Sequence, residues 1–287
     1  MKVMFLPFLL LLIMPQEDSP DALELNHDGQ TIERISREDF SIPFLDENMV
    51  DRQKFESFLD ELDNKLAREP VNAIIDENGS IVQGKAGSRI DRMKVKGQFY
   101  QYFYTNSLTS ITVPMTPVYP QVDAELLEEI RAKHIGNYLT YFKKGNKARS
   151  KNISLATHAI NNHVVFPGEL FSFNKVVGKR TKEKGYVRAP VIVRGELAEG
   201  IGGGICQVSS TLYNAVDHAG LKIVERYSHS RNVPYVPPGR DATVSWYGPD
   251  FTFKNEYNQP VLIQAKSVDG KVMVRIHSSD LLEKNAE

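Results

Sequence analysis

The chain has 287 residues, 41% hydrophobic and 25% charged, with a formal net charge of −1. That balance excludes a disordered chain, and the lack of a strongly basic domain excludes an ordinary nucleic-acid-binding protein. The near-neutral total hides an asymmetry: residues 16–70 carry 16 acidic against 6 basic side chains, whereas residues 71–287 carry 20 against 28. A modest positive field over the C-terminal part suits an anionic polymer such as a cell-wall glycan, and equally a surface that is only well solvated.

The chain opens MKVMFLPFLLLLIM, one lysine and then an apolar run from Val3 to Met14. A bilayer-spanning helix needs about 20 apolar residues, so the run is too short to span and has the length of a secretory signal core. No A-x-A cleavage pattern follows. Residues 1–16 are therefore read as a signal peptide or short anchor, which places the protein outside the cytoplasm, extracellular or associated with the cell wall or membrane. Membrane contact is expected only through this segment. Residues 17–44, acidic and broken by Pro20 and Pro43, read as an irregular lead-in.

A module is expected over residues 45–120. Phe55, Phe58, Leu59, Leu62 and Leu66 recur at helical spacing, predicting a helix from Asp51 to Ala67. Val71, Ala73 and Ile75 alternate as a strand, and Asn78-Gly79 supplies a hairpin turn before Ile81-Val82. The stretch GKAGSRID (Gly84–Asp91) leads to a second helix near Met93–Tyr104 and a strand at Ile111–Val113. The run PMTPVYP (Pro114–Pro120) then marks a boundary.

The second domain is expected over 130–278. It begins with a basic run that includes Lys143, Lys144, Lys147, Arg149 and Lys151, followed by a helix around Asn152–Asn161. At its end Val261, Ile263 and Ala265 alternate, Asp269-Gly270 turns, and Val272, Val274 and Ile276 alternate back as a closing hairpin. Residues 279–287 read as a loose tail.

The chemistry concentrates in GIGGGICQVSSTLYNAVDHAGL, Gly200–Leu221. Val208, Leu212, Ala215, Val216 and Ala219 predict a helix with one buried face that starts close to Cys206 and ends at Gly220. Cys206 is the only cysteine, so no intrachain disulfide exists. A lone thiol is a liability in an exported protein, which points to a chemical use. At a helix N-terminus the dipole and unpaired amides favour the thiolate. The glycines before it, Gly203 and Gly204 among them, let backbone approach a substrate and offer N–H groups to an oxyanion, with Gln207 and Ser209 beside them. The competing reading is a small buried cysteine next to a tight turn.

A strand LKIVERY (Leu221–Tyr227) delivers His229, and Asp241 opens a further strand, DATVSW, in which Ala242, Val244 and Trp246 alternate. Cysteine on a helix start, then histidine, then aspartate is the chain order of papain-like and transglutaminase-like cysteine enzymes. In that arrangement Cys206 attacks, His229 is its base and Asp241 fixes the imidazole tautomer. The bland alternatives are a hydrogen-bonded structural histidine and a capping aspartate. Metal ligand patterns are missing: there is no HExxH or paired CxxC, and His158 and His163 lie five apart. No phosphate-loop signature occurs either, so no metal and no cofactor are expected.

Five ordered blocks carry a resemblance: RSKNISLATHAINNHVVFPGELFSFNKVVG (Arg149–Gly178), GYVRAPVIVRGE (Gly185–Glu196), GGGICQVSSTLYNAV (Gly202–Val216), ERYSHSRNVPYVPPGRDATV (Glu225–Val244) and DFTFKN (Asp250–Asn255). Together they resemble the VanW domain. Residues 45–120 resemble the peptidoglycan-binding module often found ahead of such domains. The resemblance implies a Gram-positive origin and an association with the cell envelope, and brings no settled reaction with it. The expected fold is α+β: a small N-terminal α+β module, then a domain with a central helix packed on an antiparallel sheet. Two functions stand side by side. One is a cysteine hydrolase or acyl transferase acting on peptidoglycan amide bonds. The other is a non-catalytic wall-binding or scaffolding protein, in which Tyr213, Tyr235, Trp246 and Tyr247 shape a groove for peptidoglycan or another anionic wall polymer.

Overall fold

The computed structural model describes residues 22–42, 49–105, 107–193 and 196–284. The signal or anchor segment and parts of the lead-in lie outside the described residues. In chain order come the hairpin β1 (Ala22–His27) and β2 (Gln30–Ser36), helix α1 (Arg52–Leu66), the short strands β3 (Ile74–Ile75) and β4 (Ile81–Val82), and strand β5 (Gly87–Ile90). Helix α2 (Arg92–Thr105) and strands β6 (Ser110–Thr112) and β7 (Met115–Val118) follow. Then come α3 (Ala124–Ile130), β8 (Lys133–Tyr141), α4 (Lys147–Ile160), β9 (His163–Val165), β10 (Leu170–Ser172) and α5 (Phe173–Val177). The chain closes with β11 (Arg188–Val193), β12 (Glu196–Ile201), α6 (Ile205–His218), β13 (Lys222–Glu225), β14 (Thr252–Lys254), β15 (Val261–Val268) and β16 (Lys271–Ser278). The fold is mixed α+β. No helix among the described residues is long and apolar enough to cross a membrane.

The chain forms two compact units. The first joins residues up to Val71 with Ala86–Tyr119. Asp51 caps α1 through its side chain, which accepts from the amides of Gln53 and Lys54. Phe55 and Leu59 of α1 pack against Phe99 and Phe103 of α2, with the Phe55 and Phe99 rings stacked at 3.8 Å. The acidic lead-in departs from expectation here. Leu23, Leu25 and Ile35 are buried, and the hairpin turns at Asp28 (φ 49°) and Gly29 (φ 78°). An Asp-Gly turn between alternating apolar residues outweighs the acidic composition, because the charges face outward while the leucines join the core. The proline run is likewise not a bare linker: Met115–Val118 pairs antiparallel with β5. Pro117 is tolerated because this two-stranded ladder makes it an edge residue.

The second unit joins Asn72–Lys85 with Pro120–Glu287. The short hairpin read as part of the N-terminal module therefore packs with the C-terminal unit. Ala73 and Ile75 share a buried cluster with Val122, Leu127, Ile130, Val164 and Leu262. The Asn162 side chain bonds both the N–H and the C=O of Ile75, at 3.0 and 2.9 Å, standing in for a neighbouring strand. The main sheet runs β8-β16-β15-β9, antiparallel throughout, and its β15–β16 hairpin turns at the expected Asp269-Gly270. A second sheet runs β10-β14-β13. Residues 279–284 are not loose: the amides of Glu283 and Asn258 are bonded to Asn258 Oδ1 and the Glu283 carbonyl, and Ser279 is buried.

Helix α6 lies at the centre of this unit and is covered on every side rather than on one face. Val208, Leu212, Ala215 and Val216 join the main core, while Gln207, Ser209, Ser210, Thr211 and Asn214 are also buried and find polar partners. Gly136 of β8 makes the close approach of helix and sheet possible, since a Cβ there would stand 2.4 Å from the Ala215 carbonyl oxygen. Gly136→Ala is expected to lower the unfolding free energy of this unit by ~1–3 kcal/mol through overpacking. The control is Gly97→Ala, in α2 with open space around it, which should raise stability by ~0.5–1 kcal/mol. Urea unfolding of both variants checks the pair, and equal stability of Gly136→Ala and wild type would contradict the packing account.

Candidate active site

The hairpin β11–β12 feeds the turn Gly202–Gly204, and α6 starts immediately after it. Gly202 (φ 88°) and Gly204 (φ 109°) hold left-handed backbone that only glycine adopts without strain. A Cβ on Gly203 would stand 2.6 Å from the carbonyl oxygens of Ala189 and Pro190, so this glycine lets the turn lie on β11. The buried Asn152 of α4 ties the arrangement together: its amide donates to the carbonyls of Val187 (2.9 Å) and Gly203 (3.1 Å), and its Oδ1 accepts from the Val187 N–H (2.9 Å). Cys206 then falls at the second position of α6, half-buried.

His229 sits in the loop beyond β13, and Asp241 twelve residues further on. The structure brings them together with Cys206. Asp241 Oδ2 accepts from both the main-chain N–H and the Nδ1–H of His229, each at 2.6 Å. The two side chains are only 5% and 9% exposed. With Nδ1–H donated to the carboxylate, Nε2 is the nitrogen left for the sulfur. The His229 ring and the Cys206 thiol are electrostatically coupled, each favouring the charged form of the other. The sulfur also lies 3.6 Å from the Val244 carbonyl oxygen and 3.8 Å from Thr243 Oγ1.

Each member of the trio is shifted toward its charged form. Burial pushes the Cys206 thiol up, but its contacts with His229, Val244 and Thr243 outweigh that and leave it below its ordinary value. Burial pushes His229 down, and Cys206 and Asp241 together raise it above its ordinary value. Burial also works against the Asp241 carboxylate, yet the two bonds from His229 hold it below the usual carboxylate range.

The segment that carries Asp241 is not the strand expected from the alternation in DATVSW. No strand pairs with residues 241–246; hydroxyls of α6 hold them instead. Ser210 Oγ accepts from the Ala242 N–H at 2.9 Å, Ser209 Oγ donates to the Ala242 carbonyl at 2.6 Å, and Asn214 Nδ2 donates to the Arg240 carbonyl at 2.8 Å. These side-chain bonds, with the Thr243 N–H donated to the Tyr227 carbonyl at 2.7 Å, replace the ladder, so the alternation had a different cause: Ala242 and Val244 face the core while Trp246 is 40% exposed.

The other expected site residues divide. Gly203 and Gly204 form the turn before the thiol as expected. Gln207 faces away from it: its Nε2 donates to Thr140 Oγ1 and the Tyr141 carbonyl, and its Oε1 accepts from Arg149 Nη2 at 2.9 Å. Ser209 is fully buried in the attachment of residue 242. Tyr213 is buried, with the guanidinium groups of Arg226 and Arg240 at 5.0 and 4.9 Å from its ring centroid. Tyr235 lies beside Arg149, whose guanidinium is 6.0 Å from its ring centroid, and its hydroxyl is held well above its ordinary value, first by burial. Trp246 and the 85% exposed Tyr247 lie on the surface of the turn after Val244. The residues that sequence reasoning missed are Asn152, Ser210 and Thr243, together with Arg149 and Arg180, whose charges both reach Cys206. A separate cavity of about 700 Å³ includes Ile74, Thr157, Asn162, Gln264 and Arg275 in its lining and has no residue in common with the trio.

Comparison with known proteins gives these positions a context. The family model described as VanW like protein matches residues 148–277, a span that contains Cys206, His229 and Asp241. Over 274 residues the chain is 55% identical to the Bacillus subtilis protein named uncharacterized protein YoaR, an alignment covering 96% of this chain and 90% of that one. Over 130 residues it is 29% identical to the vancomycin B-type resistance protein VanW of Enterococcus faecalis, covering 44% of this chain and 47% of that protein. No solved structure matches. Likeness over nearly the whole length of one relative, with the family model spanning the region of the thiol, shows that the chain belongs to the VanW family.

Proposed function

We propose that this protein is a cysteine acyl-transfer enzyme of the cell envelope that opens amide bonds in the peptides of peptidoglycan. The observation that carries the reading is the buried His229–Asp241 hydrogen-bonded pair, held beside Cys206 at the start of α6 by the segment whose Thr243 and Val244 touch the sulfur. The family link to a vancomycin B-type resistance protein supports an envelope role, since vancomycin acts on the wall. The apolar N-terminal run supports export, and the first unit is assigned to holding the wall.

The geometry supports the following reaction. Cys206 Sγ, relieved of its proton by His229, attacks the carbonyl carbon of an amide, and the electron pair of the C=O collects on oxygen. The amides of Ile205 and Gln207 already bond the carbonyls of Gly202 and Gly204. The Gly202 amide likewise bonds the Val187 carbonyl, so the oxyanion is assigned to the amides of Gly203, Gly204 and Cys206. The C–N bond then breaks, His229 returns the proton to the leaving amine, and water or a second amine resolves the thioester. Asp241 stabilises the imidazolium and fixes its orientation throughout. A non-catalytic wall-binding reading rests on the exposed aromatics Trp246 and Tyr247, and the activity experiment below separates the two.

Purified protein incubated with muropeptides should release new amines, detectable by derivatisation and liquid chromatography. Cys206→Ala is expected to abolish release, and His229→Ala to reduce it by about 10²–10⁴-fold. Release that persists at the wild-type rate in Cys206→Ala would overturn the cysteine mechanism, and no release from wild type would leave only wall binding. The thiol itself gives a second prediction. Because contacts hold it below its ordinary value of 9.0, its alkylation rate should rise with pH at an inflection below 9.0. In His229→Ala the lowering contacts of the imidazole are lost while burial and the contacts with Val244 and Thr243 remain, so the inflection should move upward; an unchanged profile would contradict the ion-pair account. Asp241→Asn should lower the His229 value by removing the charge that raises it. The alkaline limb of the activity profile should then shift to lower pH.

A further inference from the structure

The mechanism leaves one costly feature without a role. Both terminal nitrogens of Arg180, Nη1 and Nη2, are buried without a hydrogen-bond partner among the described residues. A guanidinium stays protonated in proteins, and removing one from water without pairing it costs several kcal/mol. Its surroundings offer little relief. The Phe173 ring lies 5.7 Å away, and the nearby Asp250 carboxylate is already engaged by Ser172 Oγ (2.5 Å) and by the amides of Asn174 (2.9 Å) and Phe251 (2.8 Å).

Its position is specific. The Cβ and Cγ of Arg180 lie 3.5 Å from where a side chain on Gly202 would begin, and Arg149 Cγ lies 3.0 Å from the same point on Gly204. Two arginines from different segments thus lie against the turn that presents Cys206, and its glycines leave them room. Arg149 has one partner, the Gln207 Oε1, and rests on Tyr235. Arg180 has none. A buried guanidinium with both terminal nitrogens unpaired, beside the turn that presents the nucleophile, has the donor geometry for a planar anion brought by the substrate.

We propose that Arg180, with Arg149 across the glycine turn, forms a subsite that binds a free carboxylate of the peptide whose amide bond Cys206 attacks. This rests on the acyl-transfer reading above. The subsite orients the acyl group and selects acidic stem peptides over amidated ones. Stem peptides carry such a group at the C-terminus or on a side chain.

Three probes test it on the full chain: muropeptides released by a muramidase, the same pool with its carboxylates amidated by carbodiimide and ammonia, and a synthetic stem peptide amidated only at its C-terminus. Wild type should prefer the acidic pool by about 10- to 100-fold in KM, the range of a lost hydrogen bond to a charged group. Arg180→Met should abolish that preference with a smaller change in kcat, and Arg180→Lys should restore part of it. Preference for the C-terminally amidated peptide equal to that for the acidic pool assigns the carboxylate to a side chain; loss of preference assigns it to the C-terminus. Binding of the same probes to Cys206→Ala, followed by calorimetry, needs no turnover. Carboxylate-dependent binding there without turnover in wild type would sink the enzymatic reading and keep the subsite. Turnover indifferent both to amidation and to Arg180 would sink the subsite and keep the enzyme. If Arg180→Met shifts only the alkylation inflection of Cys206, with no discrimination between acid and amide, Arg180 tunes the thiol and the carboxylate proposal is overturned.

Discussion

Two contacts of one carboxylate oxygen organise this site. Asp241 Oδ2 holds His229 by its main chain and by its ring at once, so the imidazole can neither rotate about its own bonds nor leave with its loop. Asp241 in turn is fixed because both its neighbours are tied to α6, Arg240 by an asparagine amide and Ala242 by serine hydroxyls. Position therefore passes from the helix to the segment, from the segment to the carboxylate, and from the carboxylate to the ring that meets the thiol. The helix that carries the nucleophile also supplies the attachment for its base and the base's partner. Any shift of α6 moves all three together.

The buried polar residues of α6 are the consequence. A helix packed on a sheet alone would carry an apolar stripe and a solvated face. Here the second face meets irregular backbone, whose N–H and C=O groups need partners once water is excluded. Ser209, Ser210 and Asn214 provide them. The glycine turn shows the same logic in reverse: its residues are small because β11 backbone and the stems of two arginines occupy the space that side chains would fill. Composition that looks permissive is here a record of close packing.

Much of this was legible in sequence. The position of Cys206 at a helix start followed from the apolar spacing of Val208, Leu212 and Ala215 after a glycine run, and the order cysteine, histidine, aspartate suggested the trio. The β15–β16 hairpin and α1 followed from period and turn residues alone. What sequence could not give is long-range pairing. Alternation in residues 241–246 reads identically whether a strand or helix hydroxyls lie alongside. Gln207 and Tyr213 are near the thiol in number but point elsewhere on the helix. Arg180 sits in a basic stretch whose members are otherwise solvated, and only burial distinguishes it. The β1–β2 hairpin was within reach, since its Asp-Gly turn and alternating leucines were present; acidic composition drew attention away from them.

The short β3–β4 hairpin has a consequence for how this polypeptide is made and divided. Because residues 72–85 complete the C-terminal unit while residues 86–119 return to the N-terminal one, the two are interleaved along the chain, and no single cleavage point releases either intact. A fragment beginning at residue 120 would leave Leu127, Val164 and Leu262 without Ala73 and Ile75, and would strip Asn162 of the main chain it holds. During synthesis, the stretch bearing Ala73 must wait, unsheltered, until the last strands emerge more than a hundred residues later.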